Sequence, residues 1–185
     1  MNKMTEVARK IDWQFWLSIP VLAVLPFIFP YTAIATNVLI IGLFATGFNI
    51  LLGYTGQLSF GHAAFYGLGA YGTALLMVKL KLPLWMGMAG GILTAVLGGL
   101  IIGFLSLRRS DVYFSLLTLA FSQILYFLAF QMRGLTGGDD GVRGIVIGRP
   151  FSIDLSQPLN MYYFTFVFFI IMTYLARVLL RSPFG

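Results

Sequence analysis

From Trp13 to Val78 the chain runs for 66 residues without a single Lys, Arg, Asp or Glu. Soluble domains carry about one charged residue in four, so an interval this long and this neutral is not a water-exposed fold. A hydrocarbon core of about 30 Å takes roughly 20 helical residues to cross. The same bias holds over all 185 residues, of which 59% are hydrophobic and only 10% charged, with mean hydropathy +0.90. The length alone allows one or two soluble domains, but the composition overrides that prior. The fold class is all-α: a polytopic integral membrane bundle.

Charged residues punctuate the spans. The interval 13–78 suffices for three crossings, and the uncharged intervals 82–107, 112–132 and 155–176 fit one each. About six spans are expected, near 14–33, 35–52, 61–78, 84–105, 112–131 and 160–178, in a single transmembrane domain over 1–185 with an external loop at about 132–159. The basic start and Ala33-Ile34-Ala35 loosely imitate a cleaved signal. Pro20, Pro26 and Pro30 interrupt the apolar run, however, which reads as a kinked first span.

An inside N-terminus gives the cytoplasmic side Lys3, Arg9, Lys10, Arg108, Arg109, Arg177 and Arg181. The outside then carries Lys79, Lys81, Arg133, Arg143 and Arg149, the last three in a loop shared with Asp139, Asp140 and Asp154. This basic bias puts both termini in the cytoplasm. The net charge of +6 then reflects topology, and with no basic stripe of stacking aromatics no nucleic-acid partner is expected. Zero cysteines remove disulfides, thiolate catalysis and Cys-based metal sites.

Small residues mark the helix contacts. Gly87, Gly91, Ala95, Gly99 and Gly103 recur every fourth position on the fourth span, as GxxxG-type crossings require. Gly67 continues the theme on the third span, with Ala63, Ala70 and Ala74. Between them these residues predict close helix packing. Polar seams run along Gly42, Ala45, Thr46 and Asn49 on the second span and Ser115, Thr118 and Ser122, with Gln123 adjacent, on the fifth. Helix-to-helix hydrogen bonding is the default reading of such seams, at about 0.6 kcal/mol per contact.

The stretch from Gly53 to Leu76 adds Thr55, Gln57, Ser59 and His62 to six glycines. Polar, glycine-rich backbone at membrane depth survives only where protein or a water-filled cavity covers it. Segment Gly53–Gly61 reads either as partly unwound or re-entrant, or as a plain cytoplasmic turn. Asn49, Gln57, Ser59, His62, Thr118 and Gln123 are the candidate pathway-lining residues. In the external loop, TGGDDGVRG places Asp139 and Asp140 among glycines. The regular oxygen-ligand spacing of a calcium loop is missing, so a tight turn with solvated Asp is expected, with Arg133 or Arg143 as partner. No metal or other cofactor is expected.

No charged side chain lies within a span interior, whereas ion-coupled carriers usually keep ionisable groups within the bundle. Only His62 titrates there, and among small residues it reads first as a structural hydrogen-bonded group. No GxxxxGK[ST] loop occurs for ATP, and neither HExxH nor GxSxG offers hydrolase chemistry. The chain is therefore not expected to be an enzyme, and active transport through it would need a motor on another subunit.

Four collinear blocks are more specific than any of these motifs: NILLGYTGQLSFGHAAFYGLGAYGTALL, LRRSDVYFSLLTLAFSQILYFLAFQ, GLTGGDDGVRGI and RSPFG. Together they resemble the M-type permease subunits of bacterial branched-chain amino-acid ABC importers, over residues 35–185. The resemblance implies an inner-membrane importer in which this chain pairs with a second, H-type permease and two cytoplasmic ATPase subunits, which alone bind ATP. A periplasmic binding protein would deliver Leu, Ile or Val to the outer face, the side of Asp139 and Asp140. In that family the segment after SPFG continues into a coupling helix and further spans. The sequence ending at Gly185 is thus read as a fragment or truncation that does not by itself engage an ATPase. Related urea and short-chain amide importers have similar permeases, and a passive channel is the alternative from another class.

Overall fold

The computed structural model describes residues 16–107, 112–148 and 153–181, apart from the side chain of Arg181. The charge markers Lys3, Arg9, Lys10, Arg108, Arg109 and Arg149, and the closing segment 182–185, lie outside the described residues. In chain order the helices are α1 (Trp16–Ile28), α2 (Thr32–Thr55), α3 (His62–Lys79), α4 (Leu84–Ser106), α5 (Val112–Gln131), the one-turn α6 (Arg133–Thr136) and α7 (Pro158–Arg181). A 3₁₀ turn, Gly138–Asp140, follows α6, and no strand occurs among the described residues. Helices α2, α4, α5 and α7 are each long and apolar enough to cross a membrane. The protein is a multi-pass membrane protein. Each expected span falls on one helix, with its ends moved by a few residues. The largest shift is at α1, which stops at Ile28 because Pro30 disfavours helical backbone at the residue before it.

By its internal contacts the chain divides into two compact units. One consists of the described residues up to Thr46 together with those from Ile153 onward; the other begins at Gly47 and contains α3 to α6.

The first unit is held by bulk. Ala35 and Leu39 of α2 and Tyr162 and Phe166 of α7 form its buried centre, with Leu22, Phe29 and Phe169 packed around them. Tyr162 is fully buried and its hydroxyl donates to the carbonyl of Leu22. That carbonyl would ordinarily receive the N–H four residues on, but residue 26 is proline and has none to give. A backbone acceptor freed inside a membrane bundle must find another donor, and the phenol supplies it. Tyr162 thus anchors the interior of this unit, because a proline on another helix leaves it an acceptor. Phe169 presses its ring edge to Gly42, where a Cβ would lie 2.9 Å from it. The start of α7 is tied down by Pro158 at its first position and by Asn160, whose side-chain amide donates to the Asp154 carbonyl at 2.9 Å.

The second unit is held by absence of bulk. Helices α3 and α4 run antiparallel, joined by a short turn in which Lys81 takes a left-handed φ of 52° before Pro83 opens α4. A Cβ on Gly91 would sit 1.9 Å from Thr73 Oγ1 and 2.6 Å from the Gly69 carbonyl oxygen. Reciprocally, a Cβ on Gly72 would sit 2.1 Å from Thr94 Oγ1, whose hydroxyl reaches the Leu68 carbonyl at 3.0 Å. Gly87 accommodates Met77 in the same way, and Gly90 and Gly98 take Leu76 and Leu68.

Within this chain the stripe meets α3 along its first half only. Gly87, Gly91 and Ala95 meet α3, Gly99 keeps only an ordinary 3.9 Å contact with Phe65, and a Cβ on Gly103 would meet nothing within 4 Å. Each step of four residues turns the helix by about 40° beyond a full circle, so the stripe winds off the contact face that Thr94 and Gly98 continue. A Cβ on Gly67 would likewise meet nothing within 4 Å in this chain. Two residues from Gly69, it faces about 200° away from the α4 seam.

Candidate functional site

Helix α2 ends at Thr55, and Gly56 then adopts a left-handed φ of 68°, which stops the helix as glycine at this position commonly does. Residues 56–61 are not helical before α3 begins at His62. The backbone thus shows a helix to Thr55 and a non-helical stretch after it, which fits both readings of Gly53–Gly61. Two contacts fix that stretch to α5. The Ser115 hydroxyl donates to the Leu58 carbonyl, and Gly61 lies so close to α5 that a Cβ would stand 2.2 Å from the Thr118 carbonyl oxygen. Both sides of the second contact are backbone, so only glycine fits at 61. Thr118 is buried and returns its own hydroxyl to the Ser115 carbonyl at 2.9 Å.

Polar atoms concentrate here. Ser59 is 2% exposed and its Oγ has no hydrogen-bond partner among the described residues; the same holds for Gln57 Oε1 and for Oγ of the fully buried Ser106 at the end of α4. Burying such a group unpaired costs about 1–3 kcal/mol. The His62 ring stands edge-on to Phe48 (centroids 5.8 Å apart) and to Phe65 (5.9 Å), with Nε2 3.2 Å from the Cβ position of Gly47. Gln57, Ser59, His62 and Thr118 thus gather in and around the unwound stretch. Asn49 and Gln123 do not: both are exposed on their helices. Ser115 was visible in the sequence only as part of the α5 seam, three residues before Thr118. Ser106 carried no signal beyond being a serine at the end of an apolar run.

At the far ends of α3 and α5 the loop TGGDDG is tightly built. The Thr136 hydroxyl donates within the turn, lying near the carbonyls of Ala129 and Met132, and accepts the Gly138 N–H at 3.3 Å. Gly137 has φ of 80°, and a Cβ there would lie 2.1 Å from the Gly141 carbonyl oxygen. Lys79 Nζ crosses from the end of α3 to the Gly134 carbonyl at 3.3 Å. Asp139 and Asp140 are exposed in the 3₁₀ turn, and Arg143, not Arg133, pairs with Asp140. Arg133 instead lays its stem against Gly138. No group of three His, Cys, Asp or Glu side chains comes together among the described residues.

Comparison with known proteins assigns this charge-poor bundle to a family. Residues 31–185 match the model of the branched-chain amino acid transport system permease component. The chain belongs to this family. Among curated proteins it is 32% identical over 124 residues to the high-affinity branched-chain amino acid transport system permease protein LivM of Escherichia coli K12. It is equally identical over the same length to LivM of Salmonella typhimurium LT2. Each alignment takes in 67% of this chain, which spans 29% of the length of these relatives. No solved structure matches it.

Proposed function

We propose that the chain forms part of the membrane-spanning permease of an ABC importer for branched-chain amino acids. The family match over residues 31–185 carries this reading, and both relatives are named for that substrate class. In this reading it is a single permease domain, crosses the bacterial inner membrane about six times from a cytoplasmic N-terminus, and pairs with a second, H-type permease. Two separate ATPase subunits bind ATP and drive the cycle, while a periplasmic binding protein delivers the solute. This chain takes no part in hydrolysis and carries no cofactor. Gln57, Ser59, His62 and Thr118 line the solute path beside the unwound stretch, and Asp139 and Asp140 face the docking side. The unpaired buried oxygens of Gln57 and Ser59 support that path, since buried polar atoms normally have a protein or water partner.

Uptake of labelled leucine and labelled urea into cells expressing the complete transporter tests the proposal. Leucine accumulation that stops when the ATPase is inactivated is the expected result. Urea accumulation would overturn the substrate class, and flux that persists without the ATPase would overturn the importer reading in favour of a channel.

A further inference from the structure

Two serine hydroxyls are sealed inside the second unit with nothing to bond: Ser59 Oγ in the unwound stretch and Ser106 Oγ on the last turn of α4. Other hydroxyls of this unit find carbonyls, as Thr94, Ser115 and Thr118 do. The packing brings the two exceptions to one level. Along the antiparallel seam Met77 meets Gly87, Thr73 meets Gly91, Leu68 meets Gly98 and Phe65 reaches Gly99. Each step towards the start of α3 is matched by a step towards the end of α4. Carried past His62, the same pairing sets the unwound stretch beside Ser106. From the other side, α5 begins a short link after α4, at Val112, and its Ser115 already holds the Leu58 carbonyl. The end of α4, the start of α5 and the unwound stretch thus meet at one end of the unit. Gln57, two residues from Ser59, adds a third buried oxygen without a partner, its Oε1.

Neither serine bonds the other, so the gap between them is wider than a hydrogen bond, and a polar gap of that kind is where a water sits. Buried waters typically make about three hydrogen bonds to groups otherwise unsatisfied. A bare cation fits less well, because an isolated buried charge is far costlier than a buried dipole. Among the described residues the acidic side chains, Asp139, Asp140 and Asp154, all lie beyond the far end of α5.

We propose that one ordered water sits between Ser59 Oγ, Ser106 Oγ and Gln57 Oε1. It fastens the unwound stretch to the foot of α4, as the Ser115 hydroxyl fastens it to α5. The water donates to Gln57 Oε1 and to one serine, and accepts from the other. Nothing in this assignment depends on which solute the transporter carries.

Alanine substitution gives the test its sign. In the complete transporter, S59A and S106A should each lower the thermal unfolding midpoint by about 3 °C, because each removes a bond to the water. The double variant should lose little more than either single one, since both act on one molecule. A midpoint that rises or stays put in the single variants means that the hydroxyls were unsatisfied, and overturns the proposal. Strict additivity overturns it too, by separating the two serines. Exchanging all sodium and potassium for choline should leave the midpoint of the unaltered transporter unchanged; a fall makes the occupant a cation and the water wrong. A density map of the same unaltered transporter, fine enough to show ordered water, should hold one peak about 3 Å from both serine oxygens. An empty gap there, or one closed by a side chain, overturns the proposal whatever the variants do.

Discussion

Where α3 meets α4, side chains have been stripped away until two backbones nearly touch; where α7 meets α1, the most deeply buried tyrosine is set between helices and hydrogen-bonded to a carbonyl. The first seam has almost no hydrophobic area to gain, because lipid tails are as apolar as leucine. It therefore relies on close van der Waals contact and on threonine hydroxyls that stay near carbonyls. The second relies on shape and one polar bond, made available by Pro26. The difference shows that glycine and aromatic residues solve the same problem of helix association, but fail differently. A glycine seam has no tolerance for added atoms, whereas an aromatic seam tolerates losing an atom and suffers only the loss of its bond.

The largest effect should come from Gly61→Ala. Its Cβ meets backbone at Thr118, which no rotamer change relieves, and overpacking of this kind costs about 3 kcal/mol. Thermal unfolding of the detergent-purified protein should show the loss, and an unchanged midpoint would remove the contact between the unwound stretch and α5.

Gly72→Ala should cost about 2 kcal/mol through collision with Thr94 Oγ1. Because the nearest atom belongs to a side chain, adding Thr94→Ala should recover much of it in the double variant. Failure to recover would mean that the helices, and not the hydroxyl, set the spacing.

Tyr162→Phe should cost about 1 kcal/mol, the net worth of one hydrogen bond. The sharper test is Pro26→Ala in that background. It returns an N–H to α1 for the Leu22 carbonyl, so the phenol's loss should matter less than it does beside proline. Additivity in the same unfolding measurement would count against the account.

Smallest is Gly103→Ala, which fills open space and replaces a poor helix former, so the protein should gain up to about 1 kcal/mol. A loss there would restore the residue to a contact face and make the α4 stripe continuous after all.

Spacing of charge made the helices legible, since a crossing needs a neutral length and little else. All six expected spans coincide with helices for that reason. Contacts were less legible, because a pattern along one helix does not name its partner. Gly87, Gly91 and Gly103 look alike in the sequence, yet only the first two remain on the face that α3 covers. The Tyr162 hydrogen bond was not legible, because it depends on Pro26, more than a hundred residues away in the chain. Among the candidate pathway residues, Gln57, Ser59 and His62 were carried together by adjacency. Asn49 and Gln123 were chosen for polarity at depth, a property that says nothing about which way a helix is turned.

The reciprocal seating of Thr73 in Gly91 and Thr94 in Gly72 has a mechanical corollary. Two rods notched into each other at several heights neither slide nor roll without first separating, so α3 and α4 travel as one lever.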